Sequence, residues 1–255
     1  MNTESRLSLL HYRTAVLLRT IVNEIEEKRR NVPEQMEGRF CIAAYLLTEV
    51  EEYVNAAWDL LKADRARASL TVSRWVIEAA LNLVWATAES NELDRRIRLL
   101  VAEALRLEAA RLGGLAELYP NEAKQLTERA TAARQQLKAL VAEAKWRLDP
   151  LDKRMKSVIR GLRPKALPNP YALYRVCCGA AHPGLDVWRR FGQGAGGATA
   201  TREPPDHTAM ACFIIASSTL WLVSAACCLT GLGDSGHLTR WWTDEVAPLL
   251  ACAPV

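Results

Sequence analysis

The sequence predicts an all-α protein built as a bundle of long helices. Apolar residues recur every three or four positions over long stretches, and no stretch of the 255 residues alternates apolar and polar side chains as a strand would. Glycine and proline, which interrupt helices, are sparse, at 13 and 11 residues. Half of the residues are hydrophobic and 24% are charged, a composition that excludes a disordered or fibrous chain.

Prolines and glycines divide this pattern into nine predicted helices. The first places Leu10, Leu17 and Ile21 on one face and ends before Pro33. Pro170 precedes the seventh helix, and Asp206 is placed to cap the apolar eighth helix. The predicted helices are residues 5–30, 34–62, 69–89, 92–118, 121–148, 151–162, 171–182, 206–229 and 237–250.

The fourth and fifth helices have a different character from the others. They carry many charged residues, and Pro120 and Pro150 end them. This pattern predicts a long antiparallel hairpin. We therefore expect one helical domain over residues 1–255, with a charged helical-hairpin insertion at residues 92–149.

Residues 208–233 contain no charged side chain, so the stretch is long enough to cross a membrane. Serine and threonine residues dilute it, and its flanks, with Arg202 on one side and Arg240 on the other, show no strong basic asymmetry. A core helix and a membrane span are both compatible with this composition. The sequence favours the core helix, and a membrane-bound protein is not expected.

The cysteines indicate a reducing compartment. There are seven, an odd number, and four of them form the adjacent pairs Cys177–Cys178 and Cys227–Cys228. Neither a disulfide framework nor a structural zinc site fits this arrangement. The first residues also lack the apolar core of a secretory signal, so we expect a cytoplasmic protein.

The third predicted helix carries one polar stripe among apolar residues. Arg74, Glu78 and Asn82 follow at i, i+4 and i+8, which places them on one face. Because the helix is otherwise apolar, we expect a buried Arg74–Glu78 pair. Two interpretations remain: an ion pair that fixes helix packing, or the floor of a functional site.

The seventh predicted helix carries a second polar pair. Arg175 and His182 are two turns apart and share a face. Histidine titrates near neutral pH and suits general acid–base catalysis, whereas arginine stays charged and grips phosphate with two prongs. Together they can cleave RNA through its 2′-hydroxyl without a metal ion. The alternative is that both residues merely close the end of a helix before Pro183.

The Arg175-x6-His182 spacing resembles the Arg-x4–6-His signature of the HEPN superfamily of helical ribonucleases and nucleotide-binding proteins. A family of uncharacterised bacterial helical proteins is also similar, through an R-x3-E helix and a later tyrosine-to-histidine helix. The residues that carry this second resemblance are Arg74, Glu78 and Asn82, followed by Tyr171, Tyr174, Cys178 and His182.

The resemblance implies a HEPN-like bundle in which Arg74, Glu78 and His182 face one another, with Asn82, Tyr171 and Tyr174 supporting them. It implies a metal-independent endoribonuclease or nucleotide-binding protein, such as a defence or toxin component, with RNA or a nucleotide as its partner. It also implies a homodimer, because HEPN ribonucleases commonly form their site between two copies.

The sixth predicted helix adds a basic stripe. Lys153, Lys156, Arg160 and Arg163 lie along one side of it, so they can follow a phosphate backbone. A solvated face or an anionic membrane surface are the alternatives, and the net charge of +4 decides nothing by itself.

No cofactor or metal is predicted. The glycine-rich residues 192–197 match G-x-G-x-x-G but follow no strand, and Glu49, Glu51 and Glu52 lack the E-x-x-H pair of a di-iron bundle. Two classes of function remain: the HEPN-like endoribonuclease, with Arg175 and His182 as its catalytic residues, and a non-catalytic helical interaction or scaffold protein with a structural buried polar cluster.

Overall fold

A computed structural model describes residues 2–141, 148–161, 170–181, 206–232 and 235–251. Within these ranges every regular element is a helix, so the prediction of an all-α helical bundle is confirmed. The long helices are α1 (Thr3–Arg29), α2 (Glu34–Lys62), α3 (Ala66–Thr87), α4 (Leu93–Leu118), α5 (Ala123–Leu140), α6 (Leu151–Gly161), α7 (Pro170–Ala181) and α8 (Asp206–Thr230).

Two short helices, α9 (Ser235–Arg240) and α10 (Ala247–Ala251), flank a π-helical segment at Trp241–Val246. The sequence predicted one regular helix here. The side chain of Trp241 is buried, and its indole Nε1 donates to the backbone oxygen of Arg13 in α1 at 3.4 Å. Arg13 also pairs with Glu245, so this segment is fixed to α1 by two contacts.

Helix α5 ends at Leu140, earlier than the predicted residue 148. Val141 leaves the helical region, with φ −122° and ψ 61°. β-Branched residues have a lower helix propensity, which favours an end at this position. The glycine-rich stretch 192–197 lies outside the described residues.

The chain divides into two compact units. The first contains residues up to Val84 together with those from Leu162 onward, and the second contains Trp85–Gly161. The boundary differs from the predicted insertion of residues 92–149, because the second unit also takes the end of α3 and the whole of α6.

In the first unit, α1 and α2 are antiparallel and α8 packs against both. Arg19 Nε lies 2.5 Å from Glu51 Oε1, and the Trp58 indole donates to Thr14 Oγ1 at 2.9 Å. The earlier residue on α1, Thr14, contacts the later residue on α2, Trp58, so the two helices are antiparallel and these contacts set their register. Leu10, Leu18, Ile25, Phe40, Leu47, Trp58, Ile214, Leu222 and Val223 are fully or almost fully buried in this core.

Helix α8 is the one helix of the described residues that is long and apolar enough to cross a membrane, with a mean hydropathy of 2.0. However, 72% of its apolar window is buried inside the protein. The hydroxyls of Ser217 and Thr219 donate to the carbonyls of Phe213 and Ile215, one turn earlier in the helix. These features are consistent with the core helix of a soluble protein.

The second unit contains an antiparallel hairpin of α4 and α5, together with α6. Leu112, Leu126 and Ala130 form a buried cluster within the hairpin. Near the base of this unit the Cζ atoms of Arg96 and Arg154 lie 5.1 and 5.3 Å from the centre of the Trp85 ring. Arg96 also donates to the Trp85 carbonyl at 2.7 Å, so both arginines act as packing residues here.

Candidate active site between helices α3 and α7

Helices α3 and α7 of the first unit bring part of the predicted polar cluster together. Arg67, in the first turn of α3, donates through Nε to the carbonyl of Ala180 near the end of α7 at 3.3 Å. Two turns later, the Arg74 guanidinium carbon lies 5.8 Å from the centre of the Tyr174 ring. The two helices therefore run antiparallel, because later positions on α3 meet earlier positions on α7.

Arg74 is the centre of this cluster. Its Nε lies 4.0 Å from Glu78 Oε2, one turn further along the same helix. Burial disfavours its charge, but a hydrogen bond to Tyr174 and the negative groups around it outweigh burial and raise its pKa. Arg74 is thus held on two sides, by a carboxylate on its own helix and by a phenol on α7.

The expectation of a buried pair is wrong. The side chains of Arg74 and Glu78 are 34% and 32% exposed to solvent. The reason is visible in the next residue, since Trp75 is 58% exposed and stacks on Tyr53 of α2 at 6.2 Å. This face of α3 points towards solvent, although its sequence is mostly apolar.

Tyr174 joins the cluster to the rest of α7. Burial, a hydrogen bond to the Cys178 sulfur and the nearby charge of Glu78 raise the pKa of its hydroxyl to about 12, whereas the hydrogen bond from Arg74 acts in the opposite direction. The phenol is therefore neutral at physiological pH. Tyr171, one turn earlier, stacks on Tyr174 with 6.0 Å between ring centres.

The remaining predicted residues are placed as follows. Asn82 is half-buried on α3, one turn beyond Glu78. Arg175 is exposed on α7, next to Tyr174, and His182 lies just outside the described residues. The structure thus joins Arg74, Glu78, Tyr171 and Tyr174, and the predicted meeting of Arg74 and Glu78 with His182 stays a prediction.

The groups of α7 that carry chemistry share one side of the helix. At 100° per residue, Tyr171, Tyr174, Arg175 and Cys178 fall on one side of the helix, where Arg175 is exposed and the other three are half-buried. Cys177 is buried, and burial raises the pKa of its thiol to about 12. Leu173 and Cys177 face the core, and the groups with chemistry lie between that side and the exposed side of α7.

Among the described residues, only part of the basic stripe of α6 is accessible to a ligand. Lys153 and Lys156 are exposed, but Lys156 Nζ lies 3.7 Å from Asp152 Oδ2. Helix α6 includes Arg160, whose side chain is not described, and Arg163 lies outside the described residues. Arg154, also on this helix, is buried against Trp85 and is unavailable to a ligand.

Sequence reasoning missed two contributors to this cluster. Arg67 precedes Arg74 by seven positions, so the same-face rule that selected Arg74 and Glu78 would have found it. Cys178 was recognised only through the resemblance. Elsewhere in the first unit, His11 of α1 is half-buried, its Nε2 lies 2.8 Å from Asn55 Oδ1 and its ring stacks on Trp58.

Within the described part of the chain, no group of three or more His, Cys, Asp or Glu side chains is arranged to hold a metal ion. Comparison with protein-family models, curated proteins and solved structures finds no significant match to this chain.

Proposed function

We propose that this protein is a HEPN-like, metal-independent endoribonuclease whose catalytic residues, Arg175 and His182, lie on and just after α7. The observation that carries the proposal is the state of Arg175. It is exposed, and no described side chain pairs with it, although its neighbour Tyr174 is tied to Arg74. An unpaired guanidinium on a fixed helix suits a phosphate ligand.

The chemistry needs only these two residues and the RNA. His182 accepts the proton of a 2′-hydroxyl, and the 2′-oxygen attacks the adjacent phosphorus. The bond from phosphorus to the 5′-oxygen breaks, leaving a 2′,3′-cyclic phosphate, and the departing 5′-oxygen takes a proton from an imidazolium. Arg175 stabilises the charge that develops on the phosphate oxygens.

The two proton transfers occur on opposite sides of the phosphorus. One histidine can serve both only by moving between them, whereas two copies of the chain would supply one each. We therefore propose a homodimer as the active form. Arg74, Glu78 and Tyr174 act as positioning residues, since they hold α7 on α3 and do not touch the substrate.

The exposed Lys153 and Lys156 of α6 supply a further contact for RNA in this proposal. Lys153 is the stronger candidate, because Asp152 neutralises part of the charge on Lys156. The protein acts in the cytoplasm, where α8 serves as a core helix and free thiols stay reduced. A defence or toxin role fits this activity.

A second candidate is a non-catalytic interaction protein. The observation in its favour is that Glu78 and Tyr174 already satisfy Arg74, as expected for a cluster that only fixes two helices. The same cluster is compatible with both functions, so activity must decide between them.

The experiment is cleavage of RNA by the pure protein in EDTA, which excludes contaminating metal nucleases. We expect His182→Ala to lower the rate on the order of 10²–10⁴-fold. Arg175→Lys should also fail, because a point charge cannot reproduce the two-pronged grip. Arg95→Lys, at an exposed arginine of α4 that is paired with Glu92, is the control and should keep full activity.

Equal residual activity in the wild type and in His182→Ala would reject the nuclease. The interaction protein would then be the better account. Circular dichroism of each variant must show unchanged helix content, so that lost activity is not lost folding.

A further inference from the structure

A polar cleft follows the seam between α1 and α2 in the first unit. It is open to solvent and has a volume of about 450 Å³, a size that is common among sites for small ligands. Helix α1 lines it with Ser8, Tyr12 and Ala15, which recur every three or four residues and share one face. Helix α2 lines it with Asn55 and Asp59, one turn apart.

His11 joins the two walls of this cleft. Its Nε2 lies 2.8 Å from Asn55 Oδ1, and its Nδ1 lies 3.9 Å from Asp59 Oδ1. The ring stacks on Trp58, whose indole donates to Thr14 Oγ1 at 2.9 Å. The same Thr14 hydroxyl donates to the backbone oxygen of His11 at 2.9 Å. His11 is thus held through both its ring and its backbone, and the polar end of the cleft is ordered before a ligand binds.

Opposite charges lie at the two ends of the cleft. The side chain of Asp59 is 67% exposed, and its contacts to His11 and to Lys62 Nζ, at 3.1 Å, both use Oδ1. Its Oδ2 is therefore left for a ligand. The side chain of Arg19 is also 67% exposed, and it holds Glu51 through Nε at 2.5 Å. The terminal NH₂ groups of Arg19 are left for a ligand in the same way.

The distance between these ends selects the length of a ligand. Asp59 lies beside His11, and Arg19 follows His11 by eight residues on α1, which is about 12 Å at the helical rise. An extended peptide covers about 3.3–3.6 Å per residue, so three or four residues match this span. A single amino acid is too short to reach both charges.

We propose that this cleft binds a free peptide of three or four residues, with its ammonium group on Asp59 and its carboxylate on Arg19. The guanidinium edge matches the two oxygens of a carboxylate. Between the ends, the amide N–H groups of Asn55 donate to a peptide carbonyl, and the ring of Tyr12, which is 66% exposed, covers a side chain. The proposal does not depend on RNA cleavage, because α3 and α7 contribute no residue to this cleft.

The test is calorimetric titration of the full chain with trialanine, N-acetyl-trialanine, trialanine amide and free alanine. Trialanine should bind tightest. Acetylation removes the positive end and amidation removes the negative end, so each should weaken binding about tenfold, the effect of one lost hydrogen bond to a charged group. Free alanine should bind at least as weakly, because it reaches only one end.

Variants assign each terminus to its residue. In Asp59→Asn, trialanine and N-acetyl-trialanine should bind equally, while amidation should still weaken binding. In Arg19→Gln, trialanine and its amide should bind equally, while acetylation should still weaken binding. Arg19→Lys keeps the charge and should keep most of the discrimination, which serves if Arg19→Gln does not fold.

Two controls come from the second unit. Asp152→Asn changes an aspartate that is also paired with a lysine of its own helix, and Arg106→Gln changes an exposed arginine that is paired with Glu103. Both should bind all four ligands as the wild type does. Circular dichroism must show the same helix content in every variant.

Three results would overturn the proposal. The first is no detectable binding of trialanine at concentrations up to about 10 mM, beyond the range of a specific weak site. The second is equal binding of trialanine and its two blocked forms by the wild type. The third is unchanged discrimination in Asp59→Asn and Arg19→Gln, which would place the peptide elsewhere on the protein.

Discussion

Replacing Glu78 with alanine measures what the Arg74–Glu78 pair contributes. At the observed 4.0 Å the bare attraction of two unit charges is about 1 kcal/mol in water and about 4 kcal/mol in a partly buried setting. Desolvation and the ordering of two long side chains offset most of it, and exposed i,i+4 pairs contribute about 0.3–0.5 kcal/mol. Arginine precedes glutamate here, which is the weaker orientation on a helix. We therefore expect Glu78→Ala to lower the free energy of unfolding by about 0.5 kcal/mol.

Urea unfolding measures this change, with Glu108→Ala as the matched control. Glu108 pairs with Arg111 on α4 at 2.7 Å and has a similar exposure of 36%. A second assay follows the ultraviolet absorbance of tyrosine against pH. Since the charge of Glu78 helps to raise the pKa of Tyr174 to about 12, that pKa should fall in the variant.

A loss of 3–5 kcal/mol would refute the argument, because a loss that large is typical of a fully buried charge left without its partner. If stability changes little while RNA cleavage falls, the cluster positions α7 for catalysis. If neither changes, the pair contributes nothing to the proposed site.

Two further predictions concern the first unit. Thr14→Val should lower the free energy of unfolding in urea by about 1–3 kcal/mol, because the buried indole N–H of Trp58 loses the acceptor observed for it. Thr48→Val should lower it much less, because the Thr48 hydroxyl only donates to the Ala44 carbonyl. Equal losses in the two variants would contradict this prediction. Burial raises the pKa of Cys177 and Cys212 to about 12. Alkylation of the native protein at pH 8, followed by mass mapping, should therefore modify the exposed Cys228 before these two. The free energy of unfolding should also fall as the pH rises from 9 towards 12, because these thiols ionise at lower pH in the unfolded chain. Early modification of Cys177 would show that α7 opens readily.

Local sequence signals predicted the helices well, because each depends on neighbours along the chain. Spacing alone placed Arg74 and Glu78 on one face and Tyr171 and Tyr174 on another helix. The prolines at 33 and 120 ended helices where expected. These features need no knowledge of how the helices pack.

Contacts between distant helices were beyond the reach of the same signals. The bond between His11 and Asn55 joins residues 44 positions apart, and it depends on the register of α1 against α2. The burial of Arg74 was overestimated because the apolar residues of its helix were expected to be buried, whereas Trp75 is exposed and stacks on Tyr53. Composition says how apolar a helix is, but only packing decides which side is covered.

Packing also gives the two arginines of the proposed active site, Arg74 and Arg175, different surroundings. Arg74 is engaged by Glu78 and Tyr174, so releasing it to a substrate would cost both contacts. Arg175 is one residue beyond Tyr174, is exposed, and has no partner among the described side chains. If RNA binds this face, its phosphate therefore meets Arg175, and Arg74 contributes by keeping α7 in place. It follows that Arg175→Ala should weaken RNA binding directly, by removing the contact to phosphate. Arg74→Ala should weaken RNA binding indirectly, by loosening α7 on α3. A second change that fixes α7 on α3 should therefore restore part of the binding lost in Arg74→Ala.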